Sequence, residues 1–91
     1  MKFAVICTDK PGALQIRLDT RAEHVEYLKS CGVVVHAGPF LNDSDEMYGS
    51  LVIIEVDDMA AAKDWAANDP YAKAGLFADV RIEAWKQVIG G

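Results

Sequence analysis

The chain is short of cysteine, of proline and of long apolar runs, and each shortage removes a class of protein. Two cysteines, Cys7 and Cys31, in 91 residues make no disulfide framework and no zinc-ligand spacing. Both are expected to be free, inert packing residues. Only three prolines and seven glycines exclude a collagen-like or low-complexity chain. No window approaches the roughly 20 apolar residues that span a bilayer, and Met1-Lys2 leads into a strand-like run without a cleavage pattern. A cytoplasmic protein is the expectation. Positive charge is also scarce: nine Lys and Arg against 14 Asp and Glu leave a net charge of -5, which repels phosphate backbones and anionic lipid surfaces. Neither nucleic acid nor a membrane is expected as partner. A Gly-rich phosphate loop is missing too, since Gly90-Gly91 is only a terminus.

What is present is a globular balance, 52% hydrophobic and 25% charged residues, far from the composition that keeps chains disordered. The length predicts one compact domain over residues 1–91. Apolar content at this level in so small a chain points to burial against a second copy, and hence to a homodimer.

Lys2 to Thr8 is a short β-branched run stopped by Asp9-Lys10-Pro11-Gly12, which predicts a first strand and a turn. From Leu14 to Cys31, the apolar residues Leu18, Ala22, Val25, Leu28 and Cys31 recur at spacings of three and four before Gly32, which predicts an amphipathic helix. Val33 to Ala37 reads as a second strand closed by Gly38-Pro39, and Asn42 to Glu46 as a polar connection. Met47 to Val56 is a third strand whose Leu51-Val52-Ile53-Ile54 is apolar on both faces, so both need a cover. Asp57-Asp58 caps a second helix from Met59 to Asn68, with Met59, Ala62, Trp65 and Ala66 on one stripe. Asp69-Pro70-Tyr71 breaks it, a short turn spans Ala72 to Gly75, and Phe77 to Trp85 is the last strand. Trp65 and Trp85 are expected in the core or an interface. The order βαββαβ predicts an α+β, ferredoxin-like domain: a four-stranded antiparallel sheet with both helices on one face.

Three features carry chemistry. Arg17, Arg21 and His24 fall at i, i+4 and i+7 of the first helix, on one stripe beside its apolar face. Two cations near an imidazole favour its neutral, proton-accepting form; the alternative is that the arginines pair with Asp19 or Glu23. Asp69 precedes Pro70 and is pushed toward extended geometry. Its carboxylate either orients a histidine ring, as in catalytic dyads, or caps the turn that follows. Ser50, after Gly49, offers a hydroxyl, without the flanking pattern of a nucleophile elbow. His36 lies on a strand among apolar neighbours, where a structural role outweighs metal binding, so no metal site is expected.

Arg17-Leu18-x-x-Arg21-x-x-His24, Ala37-Gly38-Pro39, Gly49-Ser50 and Asp69-Pro70-Tyr71-x-x-Ala74-Gly75, then Glu83-Ala84-Trp85-Lys86, together resemble the YCII-related family over almost the whole chain. The resemblance implies a dimeric α+β barrel, two sheets packed face to face, related in architecture to muconolactone isomerase. It also implies an active site centred on His24 and Asp69, with Ser50 and the arginines nearby and Tyr71 beside them, and some relatives resemble chlorohydroxyhydroquinone dehydrochlorinase. The expectation is a cofactor-independent lyase or isomerase in which His24 moves a proton on a small, aromatic or anionic metabolite. Asp69 orients it, and Arg17, Arg21, Ser50 and Tyr71 bind the substrate. A small-ligand binding protein and a dimerisation module without ligand are the alternatives.

Overall fold

The computed structural model describes residues 1–90. Its elements are β1 (Lys2–Asp9), α1 (Leu14–Ser30), β2 (Val34–Leu41), β3 (Met47–Glu55), α2 (Met59–Ala67), α3 (Pro70–Lys73) and β4 (Phe77–Trp85). The strands form one antiparallel sheet in the order β2-β3-β1-β4. With the helices on one face, this is the ferredoxin-like split βαβ arrangement, the short α3 being its one addition.

Alternation along the central strands decides what is buried. Phe3, Val5 and Cys7 of β1 and Val52 and Ile54 of β3 point to the helices and join Ala62, Trp65 and Ala66 of α2 in the core. Tyr27, Leu28 and Cys31 from the last turns of α1 close over its edge. Each large side chain buried this way contributes about 1.5–3 kcal/mol. The intervening residues Ile6, Leu51 and Ile53 belong to the opposite face, on which no helix packs; Leu51 is 36% exposed there, whereas Ile53 is 4% exposed. The two-sided apolarity of Leu51 to Ile54 thus divides between a side packed on the helices and a side without a helix.

Local chemistry sets the element ends. Asp58 accepts a hydrogen bond from the Ala61 amide at 2.8 Å and starts α2, a cap that stabilises by about 1 kcal/mol. Gly32, at φ 77°, takes the left-handed conformation that ends α1. At Gly49 the backbones approach so closely that a Cβ would meet the Cys7 carbonyl oxygen at 2.4 Å, so only glycine fits there.

Two expectations are corrected. Strand β2 does not stop at Gly38-Pro39 but continues to Leu41. It is an edge strand, where proline's missing amide can face outward without cost to the ladder. The predicted apolar stripe of α1 is rotated: Leu18 is 49% exposed and Ala22 is exposed, whereas the fully buried residues of the helix are Arg17 and His24. Of the two places expected for Trp85, the core is excluded, since it is 38% exposed and lies outside the cluster that holds Trp65, and an interface is left.

Candidate active site

The rotation of α1 aims its polar residues inward, so each must find a partner inside the protein. His24 finds Asp69. The backbone of Asp69 is extended, φ -61° and ψ 129°, as a residue before proline prefers. Its Oδ1 accepts from the Tyr71 amide at 2.9 Å and lies 2.7 Å from His24 Nδ1. The capping role and the histidine-orienting geometry, alternatives in the sequence, meet on one oxygen. A carboxylate only accepts, so the ring proton belongs on Nδ1, and Nε2 is left as the basic nitrogen. His24 is 6% and Asp69 4% exposed.

Arg17 finds Asp9. Its Nε and Nη2 donate to the two carboxylate oxygens at 2.7 and 2.8 Å, a bidentate pair buried on both sides. Burial opposes the Arg17 charge, but the hydrogen bonds and charge of Asp9 outweigh it and hold the guanidinium above its usual pKa. Asp19 and Glu23, the partners expected from sequence, play no part in this pair. The pairing also revises the premise of two free cations beside the imidazole, because one is neutralised by Asp9. The sequence places Asp9 only in a turn. A register irregularity between Thr8 and Asp9 is the kind of bulge that re-aims a side chain. The signal that could have found it is the demand of an inward arginine for a counter-ion.

Tyr71, 2% exposed, stacks on the His24 ring with centroids 3.8 Å apart and planes at 15°. The Arg17 guanidinium lies 4.7 Å from the Tyr71 ring centroid. Burial raises the Tyr71 hydroxyl above its ordinary pKa, against the opposing charges of Arg17 and Arg21.

Arg17, His24 and Tyr71 line a cavity of about 180 Å³ between α1, β2 and β3. A cavity of roughly 150 Å³ holds a benzene ring, so this one suits a single substituted ring or a molecule of that size. Arg21 borders it, is exposed, and has no carboxylate partner among the described residues. Ser50, 4% exposed, lines it with a hydroxyl that has no hydrogen-bond partner among the described residues. The Cys7 thiol lies across the strand pair from Ser50 and is pushed up to about 12, first by burial and then by the Asp69 charge. Ser50 offsets part of that rise as a contact, though not as a hydrogen bond of ordinary geometry. A thiol held protonated is no nucleophile.

Every residue predicted for the site therefore borders this cavity or, as Asp69, supports it from behind. His36 does not join them: it is exposed and lines a separate depression with Phe40 and Leu51. A wider depression of about 530 Å³ lies by Met1, Glu55 and Trp85, but it contains no buried ionisable side chain, so chemistry outweighs size in choosing the site. Among the described residues no three His, Cys, Asp or Glu side chains are grouped to hold a metal, and no helix is long and apolar enough to cross a membrane.

An antiparallel sheet backed by two helices, with an inward histidine and aspartate over a small cavity, defines a ferredoxin-like α+β protein with a small-molecule site. Residues 1–86 match the YCII-related domain, and the chain belongs to that family. It is 37% identical to an uncharacterized protein of Haemophilus influenzae and 33% identical to protein YciI of Escherichia coli, each over 97% of this chain and 99% of the relative. Among solved structures it is similar to the 5-chloro-2-hydroxyhydroquinone dehydrochlorinase of Burkholderia phenoliruptrix in complex with 2,5-dihydroxybenzoquinone. That match has a TM-score of 0.86 and 37% identity, covering 94% of each chain. The cofactor-independent oxygenase SnoaB of Streptomyces nogalater, with a TM-score of 0.59 and 18% identity over 99% of this chain and 96% of the other, shares the fold.

Proposed function

We propose that the protein is a cofactor-independent enzyme of the lyase or isomerase type, in which His24 and Asp69 carry out proton transfer on a small oxygen-bearing, anionic or aromatic substrate. The observation that carries this reading is the buried 2.7 Å contact of His24 Nδ1 with Asp69 beside a cavity that also holds an unpartnered Ser50 hydroxyl. A buried hydroxyl without a partner forfeits about 1–3 kcal/mol, which a ligand oxygen restores. In the reaction Nε2 removes a proton from a carbon or oxygen of the substrate, and the electron pair moves onto a neighbouring oxygen. Ser50 donates to that oxygen and Arg21 balances its charge. The pair then returns, either to a second carbon with the proton from Nε2 or with expulsion of a leaving group. The similar dehydrochlorinase supports the second branch, since loss of hydrogen chloride joins proton removal to departure of chloride.

The same reading makes the protein a homodimer through the helix-free sheet face of Ile6, Leu51 and Ile53, burying upward of about 2,000 Å² in total. The test is a screen of small hydroxylated aromatic and lactone acids for thermal stabilisation, followed by turnover of the binders. Wild-type protein should turn over at least one binder, and His24→Ala should lose that turnover while still folding. Binders that are never converted, or conversion untouched by His24→Ala, would leave a binding protein in place of an enzyme.

A further inference from the structure

Asp69 fixes one nitrogen of His24, yet a single hydrogen bond leaves the ring free to pivot about it. What stops the pivot is on the other side of the imidazole. Arg17 and His24 are seven residues apart, two helical turns or about 10.5 Å along α1, and both are inward. Tyr71 fills the space between them, 3.8 Å from the imidazole centroid and 4.7 Å from the guanidinium carbon. The guanidinium is in turn locked by both oxygens of Asp9, and Asp9 is placed by the bulge at the end of β1. The hydroxyl of Tyr71 donates in none of the hydrogen bonds of the described residues, but it lies close enough to the Arg17 side chain to interact with it, so both the ring face and the polar tip tie Tyr71 to the guanidinium.

We propose that Asp9, Arg17 and Tyr71 form a second positioning chain for His24, in which the Asp9-Arg17 pair presses the Tyr71 ring against the imidazole and sets the direction of Nε2. Arg17 is then a positioning residue, and Arg21 is the cation left for the substrate. The pair satisfies its own charge, with both side chains buried, so it adds little net attraction for an anion. Its planar, bidentate geometry is what a stacked ring requires and what a lysine cannot supply. The inference builds on the proton-transfer reading, but its first readout does not depend on it.

That readout is the histidine spectrum. The chain has two histidines, so protein labelled with nitrogen-15 histidine gives two sets of ring signals, assigned with His24→Ala. In wild-type protein the stacked Tyr71 ring displaces the His24 ring protons upfield of those of exposed His36. The double variant Asp9→Leu with Arg17→Met, which leaves no unpaired charge, should lose most of that displacement. The nitrogen shifts that report a proton on Nδ1 should persist, because Asp69 is untouched. Arg17→Lys keeps a charge but loses the fork and should show an intermediate loss. Tyr71→Phe keeps the ring and loses only the hydroxyl contact with Arg17, so it should retain most of the displacement. Where a substrate is in hand, the double variant should lower kcat on the order of 10²-fold, as a misplaced reacting group does, with KM nearly unchanged. A folded double variant or Arg17→Lys that retains the full displacement would overturn the proposal, because Tyr71 would then hold the imidazole unaided. Loss of the displacement in a protein that turns over nothing would keep the positioning chain and remove only the enzymatic reading.

Discussion

The two halves of the interface beneath α1 are built on opposite principles. Toward its C-terminus the helix lays Tyr27, Leu28 and Cys31 on the apolar core of Phe3, Val52, Ile54 and Trp65. Toward its N-terminus the same face buries Arg17 and His24 and needs Asp9, Asp69 and Tyr71 to satisfy them. Apolar burial stabilises with little geometric demand, whereas buried ion pairs lose in desolvation much of what they gain in attraction. A chain of 91 residues has little stability to spare. That it places four ionisable groups in its interior next to a cavity teaches that this end of the fold is shaped for a ligand and the other for stability.

The comparison breaks most sharply at the Asp9-Arg17 pair. Asp9→Ala strands a buried guanidinium and should cost about 3–5 kcal/mol of folding stability, whereas Asp9→Leu with Arg17→Met should recover most of it. Denaturant unfolding of both variants checks this, and equal losses in the two would mean that the pair itself stabilises the fold. At the apolar end, Ile54→Ala, at a residue with 0% exposure, should cost about 2–5 kcal/mol. Ligand binding by the folded fraction should be unchanged. A loss of affinity alongside the loss of stability would show that the two halves are not separable.

A further effect is a dependence on pH at the seam between the halves, confined to alkaline pH. Burial pushes the Cys7 thiol up to about 12 from an ordinary value of 9.0, and partial burial pushes the Tyr27 hydroxyl up to about 12 from 10.0. The folded protein therefore keeps protons that the unfolded chain releases, and the stability these two groups contribute should be constant below pH 9 and fall as pH rises from 9 toward 12. Cys7→Ala should flatten the lower part of that fall in denaturant midpoints measured against pH. By the same argument Cys7 should resist alkylation at pH 8 until the protein unfolds.

Most of the fold was legible because apolar alternation and turn residues are local. The strands around Val5, Val52 and Ile82, the Asp58 cap and the Gly32 stop are all written within a few residues of where they act. The face of α1 was not, because its inward positions are filled by Arg17 and His24, so apolar periodicity followed Leu18 and Ala22 outward to solvent instead. Proline at position 39 suggested a strand end because sequence does not say which strand lies at the sheet edge. The candidate site was legible in its residue types, since Arg17, Arg21, His24, Ser50, Asp69 and Tyr71 come together around one cavity. Asp9 was not, because its role depends on a bulge in a strand pair formed with β4, nearly 70 residues further along the chain.

The central claim, that Asp69 holds His24 for proton transfer, is tested most directly by the turnover of Asp69→Asn on a substrate that the wild-type protein converts. The amide can still cap Tyr71 but no longer fixes the proton on Nδ1, so kcat should fall by on the order of 10²- to 10⁴-fold while KM stays within a few-fold. A folded Asp69→Asn protein whose kcat remains within about tenfold of wild type would contradict the account, because it would reduce Asp69 to a helix cap.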